Sequence, residues 1–127
     1  MMDSFTLQPV LGHISTFGGH PLSCAAGLAA MKVILNENLI AVVSEKEKLF
    51  QRLLVHPSIK SVRTAGLLIA VEFENFETNK RIIDSCIRHG LLTDWFLFAS
   101  NCLRIAPPLI ISSSEIEEIC RIILRNI

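Results

Sequence analysis

The sequence is short of charge imbalance, of paired cysteines and of long apolar runs, and each shortage removes a class of function. Lysine plus arginine and aspartate plus glutamate both number 12 in 127 residues, so the formal net charge is zero. A nucleic-acid binder normally carries a basic patch, and no block of like charge occurs here. "EKEK" at 45–48 alternates in sign and fits the solvated face of a helix. Cys24, Cys86, Cys102 and Cys120 form no C-x-x-C pair and lie in apolar surroundings. They are expected to be buried, reduced thiols, not a disulfide framework or a zinc site. His13 and His20 have no third ligand nearby, so they are expected to be hydrogen-bonding groups of a loop, and no metal site is expected. The opening "MMDSFTLQPV" holds an acid and lacks the apolar segment of a signal peptide. Lys32 or Glu72 interrupts the longest apolar stretches, well short of the ~18 residues that cross a bilayer. The expectation is a cytoplasmic protein with no nucleic-acid or membrane partner.

What is present is apolar. Half of the residues are hydrophobic and the mean hydropathy is positive. A single small domain has little interior, so the surplus fits either an Ile/Leu-rich core or a surface covered by a partner or a further domain. Residues 1–20 lack helical periodicity. Pro21 suits the first turn of a helix, and "LSCAAGLAAMKVIL" follows, rich in small residues, to Asn36 or Asn38. A second helix is predicted over 38–55, with a stripe of Leu39, Val42, Val43, Leu49, Phe50 and Leu53, closed by Pro57. Ser61–Arg63 and Leu67–Phe73 have the character of strands on either side of Gly66, the second apolar enough to be central and covered. Asn75 is a cap for a helix over 76–89, which buries Ile82, Ile83, Cys86 and Ile87 and ends before a left-handed Gly90. "LLTDWFLF" and "CLRIAP" predict two strands with a turn at Asn101, and Pro107-Pro108 stops the second. Ser112 and Glu115 make a capping box for a last helix with Ile116, Ile119, Cys120, Ile123 and Ile127 on one stripe. The order predicts an α+β fold: a small, mostly antiparallel sheet with helices on one face, preceded by a long connecting helix.

Two groups have chemical potential. In "GHISTFGGHPL", Ser15 and Thr16 offer hydroxyls and Gly18-Gly19 frees backbone N–H groups ahead of a helix, a combination that either holds a phosphate or forms a turn with a cap. Arg104 in "LRIAPPL" sits inside an apolar strand and needs a partner, either a carboxylate ligand gripped by its fork or a local Asp or Glu. His56 and His89 fall at predicted helix C-termini, where positive charge is favourable. Arg63 is a strand-end anchor or a contact across the sheet. Asp94 and Trp95 fit a pocket mouth or a turn.

"HISTFGGHPLSCAAGLAAMKVI", "VRTAGLLIAVEF" and "LRIAPPLIISSSEIEEI", in that order and spacing, resemble the C-terminal part of the class III aminotransferases. These are fold type I pyridoxal-phosphate (PLP) enzymes of the acetylornithine and ornithine type. The resemblance implies that residues 1–20 are a cross-subunit loop region left from the large cofactor domain, 21–36 a connecting helix, and 37–127 the C-terminal small domain. It implies that Thr16, helped by Ser15, binds the phosphate of the PLP in the neighbouring subunit, and that Arg104 holds the substrate α-carboxylate. The family usually has Gly where Ile14 stands and Asn where His20 stands, and both changes fall in the phosphate loop. The lysine that carries the cofactor as a Schiff base belongs to the large domain, and Lys32, Lys46, Lys48, Lys60 and Lys80 do not match its motif.

The expected partners are therefore the large PLP-binding domain, the second subunit of a homodimer, and an amino acid with its 2-oxo acid. The parent activity would be transamination, and the fragment alone is expected to be inactive and to self-associate. The alternatives are a fragment of a PLP-dependent aminomutase, racemase or decarboxylase, and a stand-alone α+β binding module.

Overall fold

The computed structural model describes residues 16–127. They divide between Asn38 and Leu39 into two compact units. The first holds helix α1, Pro21–Asn36, with proline in its first turn as predicted. No residue of α1 is buried, and Leu22, Leu28, Met31 and Leu35 are exposed along it. Cys24, expected to be buried, is exposed on this helix, because small neighbours do not by themselves bring anything over a thiol.

The second unit runs α2 (Val43–Leu53), β1 (Ser61–Ala65), β2 (Leu68–Glu72), α3 (Phe76–Arg88), β3 (Asp94–Phe96), β4 (Ala99–Ile105) and α4 (Ser113–Arg125). The sheet order is β1-β2-β4-β3 and every pair is antiparallel. The predicted α+β class holds. Helix α2 is shorter than the 38–55 expected. Asn38 takes a left-handed φ of 51°, and residues 37–42 form turns, so Leu39 and Val42 do not belong to the helical stripe. The helix also stops at Leu53, ahead of His56 and Pro57.

Strand β2 is central, but only one of its faces is covered. Ile69 and Val71 are buried, while Leu68 is exposed and Ala70 and Glu72 are half-buried. An apolar run predicts burial on both faces, and here the period of two along the strand decides instead. Ile69 and Val71 share their side of the sheet with Leu103 and Ile105. Helix α3 packs on β4 and β3, α2 meets β1, and α4 lies against α2 and α3. The core they enclose includes Phe50, Phe73, Ile82, Ile83, Ile116 and Ile123. Each such side chain contributes roughly 1.5–3 kcal/mol on full burial.

Local chemistry explains the boundaries. Gly66 takes φ +61° at the first of two turn positions between β1 and β2, as a type II′ hairpin turn demands. Asn75 caps α3 by accepting from the Thr78 N–H at 2.8 Å. At the other end Gly90, with φ +83°, donates to Ile87 O and Leu91 donates to Cys86 O, a Schellman closure. Ile87, expected on the buried face of α3, is exposed. Asn79 takes a buried place on that helix, and its Nδ2 donates to Ser100 O at 2.8 Å. The predicted capping box of α4 is present, with Glu115 N–H donating to Ser112 Oγ at 3.3 Å and Ser112 N–H donating to the Glu115 carboxylate at 2.8 Å.

The β3–β4 hairpin turns at Leu97-Phe98, and not at Asn101. Asn101 lies inside β4, where its amide donates to Phe73 O and to Glu72. A turn-forming residue was overridden by side-chain bonds to the neighbouring strand. Phe98, at the hairpin tip, is 97% exposed.

Candidate carboxylate-binding face of the sheet

The uncovered face of the sheet carries the polar groups. Across the four strands, Arg63 stands opposite Ala70, Ala70 opposite Arg104, and Arg104 opposite Asp94. The side chain of Arg104 is therefore on the face away from Leu103 and Ile105, whose side chains enter the core. Arg104 lies in an apolar strand, as the sequence shows. It is 44% exposed, because alternation along β4 turns it out of the core. Its backbone is fixed by the Thr93 hydroxyl, which donates to Arg104 O at 2.6 Å.

The local acid that Arg104 meets is Asp94. Arg104 Nη2 and Asp94 Oδ2 are 3.6 Å apart, and the Asp94 side chain is 51% exposed. Charge-assisted hydrogen bonds close to about 2.7–2.9 Å, so this pair attracts without a tight bond. Asp94 is itself positioned, since its Oδ1 accepts from Trp95 N–H at 2.8 Å. The Trp95 ring meets Phe76 edge-on, with centroids 5.6 Å apart. Neither alternative for Arg104 is removed by this arrangement. The guanidinium has a local acid and keeps donors for a second carboxylate.

Arg63 is placed differently. Its Nη1 binds Glu72 Oε2 at 2.6 Å and also reaches Ser61 Oγ, while Nη2 donates to Cys102 Sγ at 3.4 Å. The Ser61 hydroxyl donates to Glu72 at 2.8 Å and the Asn101 amide adds a longer bond. The Ser61 bond and then the Arg63 bond hold the Glu72 carboxyl below its ordinary value, and Glu72 in turn raises Arg63. This cluster is saturated and closes over Cys102, which is buried on a face that is otherwise open. Arg63 is thus a contact across the sheet, one of the two roles open to it from sequence.

A cavity of about 580 Å³ lies beside the end of β4, bordered by Leu91, Arg104, Pro107, Ile111, Glu115 and Ile119 among others. No lysine lines it. Lys46 donates to Leu109 O and Lys80 pairs with Asp84, while Lys32, Lys48 and Lys60 are exposed. Among the described residues, no three His, Cys, Asp or Glu side chains gather as metal ligands, and no helix is long and apolar enough to cross a membrane.

In the first unit, Thr16 begins a turn over residues 16–19 and is exposed. His20 N–H donates to Phe17 O at 3.2 Å, and Gly19 has φ +77°. An exposed hydroxyl ahead of a helix start fits one contact to a phosphate oxygen. Ser15, His13 and Ile14 lie outside the described residues. His20 precedes α1 and makes no side-chain cap. His89 is the residue on which α3 closes, with Nδ1 2.8 Å from Ser85 O, whereas His56 lies beyond α2 and accepts from Ser58 N–H.

Asp94 was the residue least legible from sequence as part of this face. Placing the hairpin turn at Asn101 gives the wrong register. A regular hairpin with its turn at Leu97-Phe98 would pair Asp94 with Asn101, and it is the irregularity between Trp95 and Phe96 that shifts the register and sets Asp94 opposite Arg104.

The model of the class-III aminotransferase family matches residues 2–127. The chain is 39% identical over 109 residues to an acetylornithine aminotransferase of Bifidobacterium longum, covering 84% of this chain and 25% of that protein. It is 42% identical over 110 residues to ornithine aminotransferase 2 of Staphylococcus aureus, covering 83% and 26%. Among solved structures, a Bacillus anthracis aminotransferase superposes with TM-score 0.79 at 30% identity, covering 90% of this chain and 29% of that one. An ornithine aminotransferase from Toxoplasma gondii, crystallised with partial occupancy of PLP at its active site, superposes with TM-score 0.75 at 30% identity, covering 94% and 29%. The chain thus spans between a quarter and three tenths of the length of these relatives.

Proposed function

The chain belongs to the class III aminotransferases, a PLP-dependent family, and from that premise we propose that it is the C-terminal part of a transaminase that moves an amino group between an amino acid or amine and a 2-oxo acid. The observation that carries this reading is Arg104. It stands on the open face of the sheet, half-exposed, with a loosely held partner at 3.6 Å. A planar fork of donors in that position suits the α-carboxylate of an amino acid.

Each residue has a limited task. Arg104 binds and orients the carboxylate, and the Thr93 hydroxyl keeps the strand that bears it in place. Thr16, with Ser15, donates to the cofactor phosphate of the neighbouring subunit. The cofactor, when bound, supplies the electron sink on which amino transfer depends. None of the five lysines lines the cavity beside Arg104, and on this reading the covalent anchor comes from the large cofactor domain. The parent protein on this reading is a cytoplasmic, fold type I homodimer. Helix α1, with its apolar side chains exposed, provides surface for the large domain or the second subunit, and a chain without that cover self-associates.

The test is a transamination assay on the purified 127-residue chain with added PLP, an amino acid donor and a 2-oxo acid. The expected result is no transfer, together with concentration-dependent association in sedimentation. Transfer by this chain alone, free of host enzymes, would refute the division of labour proposed here.

A further inference from the structure

The two edges of the sheet, β1 and β3, are finished differently. We propose that β1 is an interaction edge whose partner is β1 of a second copy of this chain, paired antiparallel about a two-fold axis at Arg63. This inference rests on the reading that the chain self-associates, and it assigns that association a surface other than α1.

Strand β3 is blunted. It has three residues, its pairing with β4 is irregular between Trp95 and Phe96, and the Trp95 N–H is already taken by Asp94 Oδ1 at 2.8 Å. Short length, irregular pairing and local charge keep an edge from accepting another strand. Strand β1 has none of these over Ser61–Ala65. Its five residues pair with β2 in unbroken register, and no proline interrupts them. The two-residue turn makes Ala65 and Leu68 a hydrogen-bonded pair, so Arg63 and Ser61 bond β2 as well. The backbone groups of Val62 and Thr64 therefore point to the free edge. Among the described residues, no turn or loop backbone group bonds them, and no strand lies beyond β1. The charge that would protect this edge is turned away from it. Arg63 reaches inward to Glu72 on β2 at 2.6 Å and to Cys102 on β4 at 3.4 Å.

The free groups complement themselves in one register. With the axis at Arg63, Val62 of each copy faces Thr64 of the other, and every free donor and acceptor of both strands finds a partner. An axis at Val62 would bring Thr64 to Lys60, and an axis at Thr64 would bring Val62 to Gly66. In both cases the facing N–H is already committed, that of Lys60 to Glu72 O at 2.8 Å and that of Gly66 to the Glu47 carboxylate at 3.2 Å. The two guanidiniums that meet at the Arg63 axis are each paired with their own Glu72, which reduces the repulsion of like charges set opposite.

The test is amide hydrogen exchange on the native chain, read residue by residue by NMR, with sedimentation on the same samples. Over a concentration range of about fiftyfold, exchange at Val62 and Thr64 is expected to slow by up to about sevenfold, the square root that mass action gives for a dimer. Arg63 and Ala65, bonded to β2, should stay slow throughout. Val62→Pro removes an outward donor that the β1–β2 ladder does not use, and it should abolish the concentration dependence at Thr64. Val62→Lys, which sets a charge at the edge, should do the same and serves if the proline variant does not fold. Association with the Val62 and Thr64 amides unmoved overturns the β1 pairing and leaves self-association to another surface. Amides that are slow at every concentration mean that this chain covers its own edge, which overturns the second copy as partner. Concentration dependence at Thr64 that persists in the folded variants overturns the pairing, and a chain that does not associate at all overturns both readings.

Discussion

Replacing Ser112 by alanine separates two contributions that meet at the start of α4. The Ser112 hydroxyl accepts from Glu115 N–H and donates to the Glu115 carboxylate at 2.7 Å, while the Ser112 backbone N–H donates to that same carboxylate at 2.8 Å. Alanine removes the hydroxyl and leaves the backbone donor. Loss of a serine cap costs about 1 kcal/mol, whereas glycine at such a position costs only a few tenths. Helix α4 brings Ile116, Cys120 and Ile123 into the core, so a frayed first turn is felt by the whole second unit. In urea, with a slope of about 1–3 kcal/mol per molar, the midpoint of Ser112→Ala should fall by roughly 0.3–1 M.

The acid dependence has a different source. The Ser112 backbone N–H, and then its hydroxyl, hold the Glu115 carboxyl below its ordinary value near 4.5. A carboxyl lowered on folding stabilises the protein above its unfolded value, and that stabilisation is lost as pH falls through the folded value. Glu115→Gln should therefore be destabilising at neutral pH, and its deficit should shrink below about pH 4.5 as the native carboxyl is protonated. Ser112→Ala should keep most of the native acid dependence, because the larger cause is the backbone donor. Urea unfolding followed by far-UV circular dichroism across this range measures both effects. An alanine variant as stable as the native chain, or a Glu115→Gln deficit that is constant with pH, would refute the account of this cap.

The remaining expectations concern the core and the thiols. Gly66→Ala should cost about 1–2 kcal/mol in urea unfolding, since φ +61° is unfavourable for an L side chain and the new Cβ would lie 3.0 Å from Val43 Cγ1. Ile116→Ala should cost about 2–5 kcal/mol in the same assay, because the side chain is fully buried between helices and sheet. Burial pushes the Cys86 thiol up to about 11 and the Cys120 thiol up to about 12. Each stays neutral when folded, so its stabilising effect is whole below the unfolded value near 9 and declines as pH rises through 9 towards 11–12. A thiol reagent at neutral pH should label Cys24 quickly and reach Cys86, Cys102 and Cys120 only on unfolding, as mass spectrometry of timed samples would show.

Much of the fold was legible where a residue has only one job. Pro21, Asn75, Gly90 and the Ser112/Glu115 box mark helix ends through backbone geometry that sequence displays directly. Sequence was a poorer guide where two preferences compete. Asn38 favours a turn inside an apolar stretch that suits a helix, and the turn wins. Asn101 favours a turn but finds partners at Glu72 and Phe73 O, and the strand wins. Composition could not show that Cys102 would be roofed by Arg63, Glu72 and Asn101 on the open face. For the candidate site, Arg104 stood out as a charge in an apolar strand. Its neighbour Asp94 did not, because only the register of the hairpin brings the two together.

The strand order also bears on how the second unit assembles. The β1–β2 and β3–β4 hairpins are each local and need little chain closure to form. The seam between them, where Ile69 meets Ile105 and Val71 meets Leu103, closes only after α3 and β3 have been threaded between. Pairings that span so much chain are entropically costly to close, so this seam is expected to form later than either hairpin. Until it closes, β2 and β4 each present a bare apolar edge, and the unit is at its most vulnerable to pairing with another chain.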